Sequence, residues 1–195
     1  QPLGPQMTSY NPDLKVDYDL DKAKHHLKKA GLEGVKIDLS ASDTAYGGAL
    51  DAAQLFQSHW AKIGVNLNII KEPQDGYWPH VWPVPPFCAC YWGPRPVEDM
   101  ILSICYLSSS PWNDTVIQNA RVDELVVAAR GELDQAKRKA MYQDVQQIIS
   151  AEGGTIIPAF GSDVAAHRDT VGVGDQLGGG WEMDGGHFLK RWWKA

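Results

Sequence analysis

The residues best suited to binding chemistry lie in one short segment, residues 87–100, with the sequence FCACYWGPRPVEDM. Its first four residues predict a strand, so Tyr91 and Trp92 come directly after the strand's carboxyl end. Open α/β sheets present their ligand-binding groups at that end. The aromatic pair is therefore a candidate binding site, and Pro94 and Pro96 stiffen the loop that carries it.

Arg95 follows the aromatic pair and lies just ahead of a predicted helix. Apolar residues recur at helical spacing from Val97 onward, and the unpaired N–H groups of a helix start favour anions. A cation beside aromatic side chains is typical of a binding site. An alternative stays open, in which the two aromatics belong to the core and Arg95 merely pairs with Glu98 or Asp99.

A strand–helix–strand unit precedes this segment. Apolar residues alternate over residues 35–39 and 65–69, which predicts two strands, and a helix that ends at Gly64 connects them. The crossover implies parallel, neighbouring strands, with the loop SDTAYGG at 42–48 on their carboxyl edge. We expect one edge of the sheet to carry five candidate binding residues: Asp43, Tyr46, Tyr91, Trp92 and Arg95.

Three shorter features surround this unit. A helix near the start is capped by Asp19 or Asp21 and ended by Gly31. Residues 74–86, rich in Trp, Tyr and Pro, predict a short helix or an ordered loop that leads into the third strand. A surface loop, SSSPWND, follows the Val97 helix, and its Trp112 either reaches the site or packs locally.

Two amphipathic helices are predicted next, over residues 122–130 and from about Asp134. Their apolar stripes predict inward-facing side chains: Val122, Leu125, Val126 and Ala129 in the first, and Ala136, Ala140, Met141, Val145, Ile148 and Ile149 in the second. Residues 155–160, TIIPAF, predict a last strand, with Pro158 at an edge or crossover position. The glycine-rich tail ends in two tryptophans and is expected to pack against another surface.

The composition excludes several classes of function. A net charge of −6 argues against nucleic acid as a partner, and no apolar run approaches the roughly 20 residues that span a bilayer. With 44% hydrophobic residues over 195 positions, the chain can bury a substantial core. The first residues lack the pattern of a secretory signal. Because the sequence starts without Met, we expect it to be part of a larger protein.

No motif for catalysis, a metal or a cofactor is found in the sequence. There is no Walker-type phosphate loop, no G-x-S-x-G elbow and no H-E-x-x-H pair. His25–His26 is better explained as part of a solvated helix face than as a metal clip. Cys88, Cys90 and Cys105 predict buried thiols, with one bridge to Cys105 as the alternative. We expect no cofactor, no metal and no enzymatic activity.

The order of motifs along the chain resembles one known family. The motifs are YDLDKAKHHLKKAG at 18–31, AAQLFQSHWAKIGVNLNI at 52–69, the strand ending in Tyr91–Trp92, and RVDELVVAARGELDQAKRKAMYQDVQQIISAEGGTIIPAF at 121–160. Together they resemble the carboxyl-terminal half of the extracytoplasmic solute-binding proteins of ABC transporters, in the peptide/nickel class often called family 5. The resemblance covers nearly all of residues 18–195.

The resemblance implies an α/β fold of the periplasmic binding protein-like type II, here its carboxyl-terminal lobe, with a partly parallel sheet flanked by helices. It divides the chain into an extended lead-in from a missing amino-terminal lobe at residues 1–17, an α/β ligand-binding lobe at 18–160 and a return segment toward the missing lobe at 161–195. Without the missing lobe, apolar surface that would face it is exposed. We therefore expect this fragment to self-associate into a homo-oligomer.

The resemblance implies a protein that binds a solute and catalyses no reaction. A substrate-binding component of an ABC import system holds a peptide or peptide-like solute in a cleft between two lobes. It works in the periplasm, outside the cytoplasm, and delivers the solute to an ABC permease in the inner membrane. Two other readings stay open: an isolated lobe with a binding or sensory role, and a small cleft enzyme that uses Glu98 or Asp99.

The expected ligand-binding residues are Asp43, Tyr46, Tyr91, Trp92, Arg95 and Trp112. In the dipeptide-binding branch, an arginine in the first loop holds the ligand carboxylate, and an aspartate three residues after the strand-end tryptophan holds the ligand amine. The aligned residues here are Asp43 and Arg95, so the charges look exchanged. The ligand itself stays open among short peptides, opine-like conjugates, oligosaccharides and metal chelates.

Overall fold

The computed structural model describes residues 1–82 and 84–195, which divide into two compact units. One unit is Val16–Trp92, and the other combines Gln1–Lys15 with Gly93–Ala195. Each unit has its own set of buried apolar residues. The division into residues 1–17, 18–160 and 161–195 stays a prediction.

The unit Val16–Trp92 is built on a parallel strand–helix–strand motif. Strand β1 (Lys36–Ala41) pairs in parallel with strand β2 (Asn66–Lys71) over their whole length, and helix α2 (Ala49–Ala61) connects them. The predicted unit is therefore confirmed. Apolar residues alternate along both strands, and Leu39 and Leu67 from the alternating sets are buried.

The core of this unit lies between the sheet and α2. Leu39 and Leu67 from the strands pack with the buried Ala53 of the helix. At the border of this core, Trp60 stacks on Phe87, with ring centroids 6.0 Å apart and planes 5° from parallel. The stacking joins α2 to the segment that carries the candidate aromatic pair.

Two further helices of this unit agree with the sequence. Helix α1 (Leu20–Lys29) begins after Asp19, whose Oδ1 accepts a hydrogen bond of 2.8 Å from the Lys22 N–H. Gly31, with φ of +69°, follows its end in the left-handed region that glycine favours. Helix α3 (Tyr77–His80) is a single turn within the segment for which a short helix or ordered loop was expected.

Residues 87–89 lie beside β1 as a rudimentary third strand. Cys88 forms one parallel bridge with Ser40, made by backbone hydrogen bonds of 3.1 and 2.9 Å. The third strand predicted from the sequence is thus shortened to a single bridge. Pro85 and Pro86 precede it and have no N–H to donate, which limits the ladder.

The other unit contains three longer helices: α4 (Glu98–Tyr106), α5 (Ala120–Gly131) and α6 (Gln135–Glu152). The side-chain oxygens of Asn119 and Asp134 accept hydrogen bonds from the first N–H groups of α5 and α6, respectively. The inward face predicted for α5 is confirmed, since all four of its residues are buried: Val122, Leu125, Val126 and Ala129.

The buried face of α6 differs from the predicted one. Ala136 and Ala140 are exposed, so the prediction was wrong for them. The buried residues are Tyr142, Val145, Gln146 and Ile149. Gln146 is tolerated in the core because its Nε2 donates a 2.7 Å hydrogen bond to the carbonyl oxygen of Ser9, 137 residues away in the sequence. Such a distant acceptor is invisible in a local pattern of apolar residues.

The predicted last strand is wrong. Residues 155–160, all of them described, form no strand, and Ile156 is 58% exposed. A strand needs a neighbour to take its hydrogen bonds, and no strand of the described chain lies beside this segment. Pro158 has no N–H to contribute.

The tail folds back on itself. Strand β3 (Val171–Gly172) pairs antiparallel with strand β4 (Trp193–Lys194), and the short helices α7 (Glu182–Gly185) and α8 (Phe188–Arg191) lie between them. A Cβ at Gly172 would overlap the Trp193 ring, so the close contact between this residue and the ring depends on glycine. None of the helices described is both long and apolar enough to cross a membrane.

Candidate ligand-binding site

Two parallel strand ends bring four of the candidate residues to one edge of the sheet. Strand β1 ends at Ala41 and leads into the loop with Asp43 and Tyr46. Residues 87–89 run parallel to β1 and lead into Tyr91 and Trp92. Carboxyl ends of parallel strands share one edge, so both pairs follow that edge of the unit Val16–Trp92.

Asp43 is exposed and already serves the local fold. Its Oδ1 accepts a 3.1 Å hydrogen bond from the Leu50 N–H, in the first turn of α2. The residue at the start of that helix is Gly48, in the left-handed region with φ of +83°, and it has no side chain to cap the helix. Asp43 therefore supplies the carboxylate that a helix start favours.

Tyr46 is half-buried and packs against the buried residues Ala45, Ala49, Tyr77 and Val81. Burial raises the pKa of the Tyr46 phenol, with a further contribution from Cys90. The hydroxyl therefore remains protonated over the physiological range, where it can both donate and accept hydrogen bonds.

Four aromatic side chains near this edge contact one another, and we call them the ring group: Trp78, Trp82, Tyr91 and Trp92. Trp78 meets Tyr91 with ring centroids 5.4 Å apart and meets Trp82 at 6.0 Å. Trp82 meets Trp92 at 5.9 Å, and all three contacts are edge-to-face. Tyr91 is 59% exposed, so the alternative that places it in the core is wrong.

Sequence reasoning missed two members of the ring group. Trp78 lies on α3, and Trp82 lies two residues beyond the end of that helix. The aromatic richness of residues 74–86 was the available signal. Nothing in a linear pattern, however, shows that these two side chains meet the strand end that carries Tyr91 and Trp92.

Tyr77 fastens the ring group to the sheet. Its side chain is 1% exposed, and its hydroxyl donates a 2.6 Å hydrogen bond to the carbonyl oxygen of Ala89. Burial is the main cause that raises the pKa of the Tyr77 phenol strongly. The bond ties α3 to the segment that the sheet itself holds by a single bridge.

Arg95 and Trp112 belong to the other unit. The Arg95 Nη1 donates hydrogen bonds of 2.9 and 3.1 Å to the carbonyl oxygens of Gly93 and Pro94, so the side chain folds over its own turn. Trp112 is 51% exposed on the loop after α4. Its backbone N–H donates a 3.2 Å hydrogen bond to the Ser110 Oγ, which orders the loop.

Glu98 and Asp99, the carboxylates considered above as partners of Arg95 or as groups of an enzyme, both form hydrogen bonds within the fold. Glu98 accepts a 2.8 Å hydrogen bond from the Ser9 N–H, which fastens the first residues of the chain to α4. Asp99 accepts from the Arg130 Nε at 3.1 Å and from the Ser103 hydroxyl, which joins α4 to α5. Both carboxylates thus hold helices in place.

The chemistry for a metal or redox site is sparse in the described part of the chain. No cluster of three or more His, Cys, Asp or Glu side chains suited to a metal occurs among the described residues. The three cysteines are thiols, so the alternative bridge to Cys105 is not formed. Cys105 is buried, whereas Cys88 and Cys90 are only half-buried.

Comparison with known proteins gives consistent matches. The chain matches the family model described as bacterial extracellular solute-binding proteins, family 5 Middle, over residues 1–115. It is 30% identical over 159 residues to Di/tripeptide-binding protein 3 of Pseudomonas aeruginosa (strain UCBPP-PA14), covering 77% of this chain and 30% of that protein. It is 42% identical over 73 residues to the dipeptide-binding protein of Escherichia coli (strain K12), covering 35% of this chain and 14% of that protein.

The fold is also found among solved structures. The periplasmic binding protein DppA from Helicobacter pylori, in complex with the peptide STSA, superposes with a TM-score of 0.65 at 24% identity. The match covers 78% of this chain and 31% of that chain. The similarity identifies the fold as that of type II periplasmic binding proteins, as the sequence predicted. The chain spans less than a third of the length of these relatives.

Proposed function

Because this chain belongs to family 5 of the bacterial extracellular solute-binding proteins, we propose that it forms one lobe of a peptide-binding component of an ABC import system. Two curated relatives are named as binders of dipeptides or tripeptides, which supports a peptide or peptide-like solute. In this proposal the protein performs no chemistry: it captures the solute outside the cytoplasm and hands it to a permease.

One observation carries the proposal at the level of the site. The edge where β1 and residues 87–89 end presents an aromatic surface, the ring group, beside the loop with Asp43 and Tyr46. Ligands of open α/β folds bind at the carboxyl ends of strands, and aromatic side chains with a few polar groups are the usual lining of such sites.

A second lobe completes the proposed site. Solute-binding proteins of this fold hold the ligand by closing two lobes around it, which excludes water and strengthens each polar contact. The partners we propose are therefore the solute, a second lobe and the membrane permease.

The two ends of the peptide need opposite charges on the protein. We assign Arg95 to the ligand carboxylate, because a guanidinium accepts a carboxylate in a two-pronged geometry. The two carbonyl bonds of its Nη1 give the side chain a defined direction. We assign Asp43 to the ligand amine, since its side chain is exposed at the same edge as the ring group.

Calorimetric titration of the protein at its full natural length tests the function. After removal of co-purified ligand by partial unfolding and refolding, we expect a panel of dipeptides and tripeptides to bind with micromolar or tighter affinity, with no turnover of the peptides. Absence of binding by every peptide, with tight binding of a sugar or a metal chelate, would contradict the peptide assignment.

A further inference from the structure

The ring group is open on one side and firmly supported on the other. Tyr91 is the most exposed member, whereas Trp78, Trp82 and Trp92 are each half-buried. Edge-to-face contacts set each ring nearly perpendicular to the next, at 73° to 75°. The rings are therefore packed edge-to-face rather than stacked flat.

The support lies underneath, in Tyr77. Its ring meets Trp78 edge-to-face at 5.5 Å, and its hydroxyl holds the carbonyl of Ala89, two residues before Tyr91. Both arms of the ring group, one on α3 and one at the strand end, are thus fixed by the same buried side chain. A rigid aromatic surface loses little conformational entropy when a ligand binds to it.

The charges and polar groups at this edge indicate which kind of ligand group fits the ring group. The ring group itself offers only indole N–H groups and one phenol as polar atoms. Asp43, which we assign to the ligand amine, lies in the neighbouring loop and is not part of the ring group, and Glu72 accepts a 2.8 Å hydrogen bond from the Ser40 hydroxyl. The negative faces of the rings disfavour an anionic side chain of the ligand, whereas an apolar side chain gains from every ring that it covers.

We infer that the ring group is a subsite for a large apolar side chain of the bound peptide, and that Trp78 and Trp82 set this preference. The inference rests on the proposed peptide-binding function and adds to it the class of side chain selected. Contact of a leucine or phenylalanine side chain with these rings removes apolar surface of both partners from water. Glycine offers nothing to bury there.

The test compares dipeptides that differ only in their second residue: Ala-Phe, Ala-Leu, Ala-Gly, Ala-Asp and Ala-Lys. Calorimetric titration uses the protein at its full natural length and its Trp82→Leu variant. The matched control is Trp181→Leu, which removes an indole that is 66% exposed and lies in the other unit, outside the ring group. Thermal unfolding of each variant verifies that it is folded.

We expect the unmodified protein to bind Ala-Phe and Ala-Leu at least about tenfold more tightly than Ala-Gly, the lower end of what an apolar pocket discriminates. Trp82→Leu should lower the affinity for Ala-Phe about tenfold while changing that for Ala-Gly less than about twofold. Trp181→Leu should change neither. If Trp82→Leu fails to fold, Trp82→Phe replaces it, with a smaller loss confined to Ala-Phe.

Three results would overturn the inference. Equal affinities for all five dipeptides, or an equal loss for all of them in Trp82→Leu, would leave peptide binding intact and assign the ring group a purely structural role. A preference for Ala-Lys would identify it as a cation site instead. Binding of none of the five dipeptides would overturn the inference, and if no tripeptide binds either, the proposed function is refuted with it, which separates that failure from the other two.

Discussion

Arg95 is the residue to which we assign the anionic end of the ligand. We expect Arg95→Ala to weaken binding by about 2–5 kcal/mol, roughly thirtyfold or more, because the ligand carboxylate would be left buried without its partner. Arg95→Lys should restore only part of the affinity, since an ammonium cannot reproduce the two-pronged geometry. Calorimetric titration with a tight-binding dipeptide measures both changes.

The matched control for Arg95 is Arg121→Ala. Arg121 forms a 2.8 Å ion pair with Glu124 on the exposed side of α5, and such a surface pair contributes little. Its removal should leave peptide affinity unchanged. If Arg95→Ala bound the dipeptide as tightly as Arg121→Ala does, the anchor role would be refuted.

Tyr77 links the site to the pH dependence of stability. Burial raises the pKa of its phenol above the ordinary value of 10.0, so above that pH the unfolded chain releases a proton that the folded chain retains. The contribution of the Tyr77 phenol to the free energy of unfolding is fully present below pH 10 and is lost as the pH rises further. We expect the free energy of unfolding, measured in urea from pH 7 to 11, to fall less steeply at the alkaline end in Tyr77→Phe.

The same variant removes the hydrogen bond to Ala89 and should cost about 1 kcal/mol at pH 7. Tyr18→Phe is the control, because the Tyr18 side chain is 67% exposed. An alkaline slope identical in the two variants would show that Tyr77 does not carry this dependence.

Single residues of the candidate site were predictable where a general rule applies. Tyr91 and Trp92 follow from the rule that strand ends carry binding groups, and the structure brings both into the ring group. The membership of Trp78 and Trp82 in the ring group was not predictable, because it depends on tertiary contacts with Tyr91 and Trp92. The second use of Asp43, as acceptor for the Leu50 N–H, was equally hidden.

In the loop between β1 and α2, Asp43 has both a structural role and a proposed binding role. Asp43→Ala removes the acceptor for the Leu50 N–H and should lower the stability by about 1 kcal/mol. Asp43→Asn keeps a side-chain oxygen there and should preserve most of the stability. Urea unfolding at neutral pH measures both.

The asparagine variant separates capping from binding. It lacks the negative charge that we assign to the ligand amine, so it should bind dipeptides more weakly while remaining folded. Unchanged affinity in Asp43→Asn would confine Asp43 to its structural role.

Elements were predicted well where their own residues determine them. The stripe on α5 is regular, and all four of its predicted inward residues are buried. Prediction failed where burial depends on a segment distant in the sequence. Gln146 is a core residue of α6 because its side chain bonds to the carbonyl oxygen of Ser9. Residues 155–160 have the composition of a strand, but they have no neighbouring strand among the described residues.

For the molecule as a whole, the family and the fold follow from motifs spread over most of the chain. The match to relatives covers 77% of this chain but 30% of the first relative, so the activity of the complete protein is a proposal. Several large apolar side chains are well exposed, among them Val16 at 85% and Leu189 at 83%. Self-association of this chain, to be measured by light scattering, stays a prediction.

Native mass spectrometry tests the central claim most directly. The protein would be produced at its full natural length, purified without unfolding and sprayed from volatile buffer. We predict one bound molecule per protein, released on activation and identified by fragmentation as a short peptide or a mixture of short peptides. Co-purification of a non-peptide molecule alone, displaced by no peptide in competition, would contradict the account.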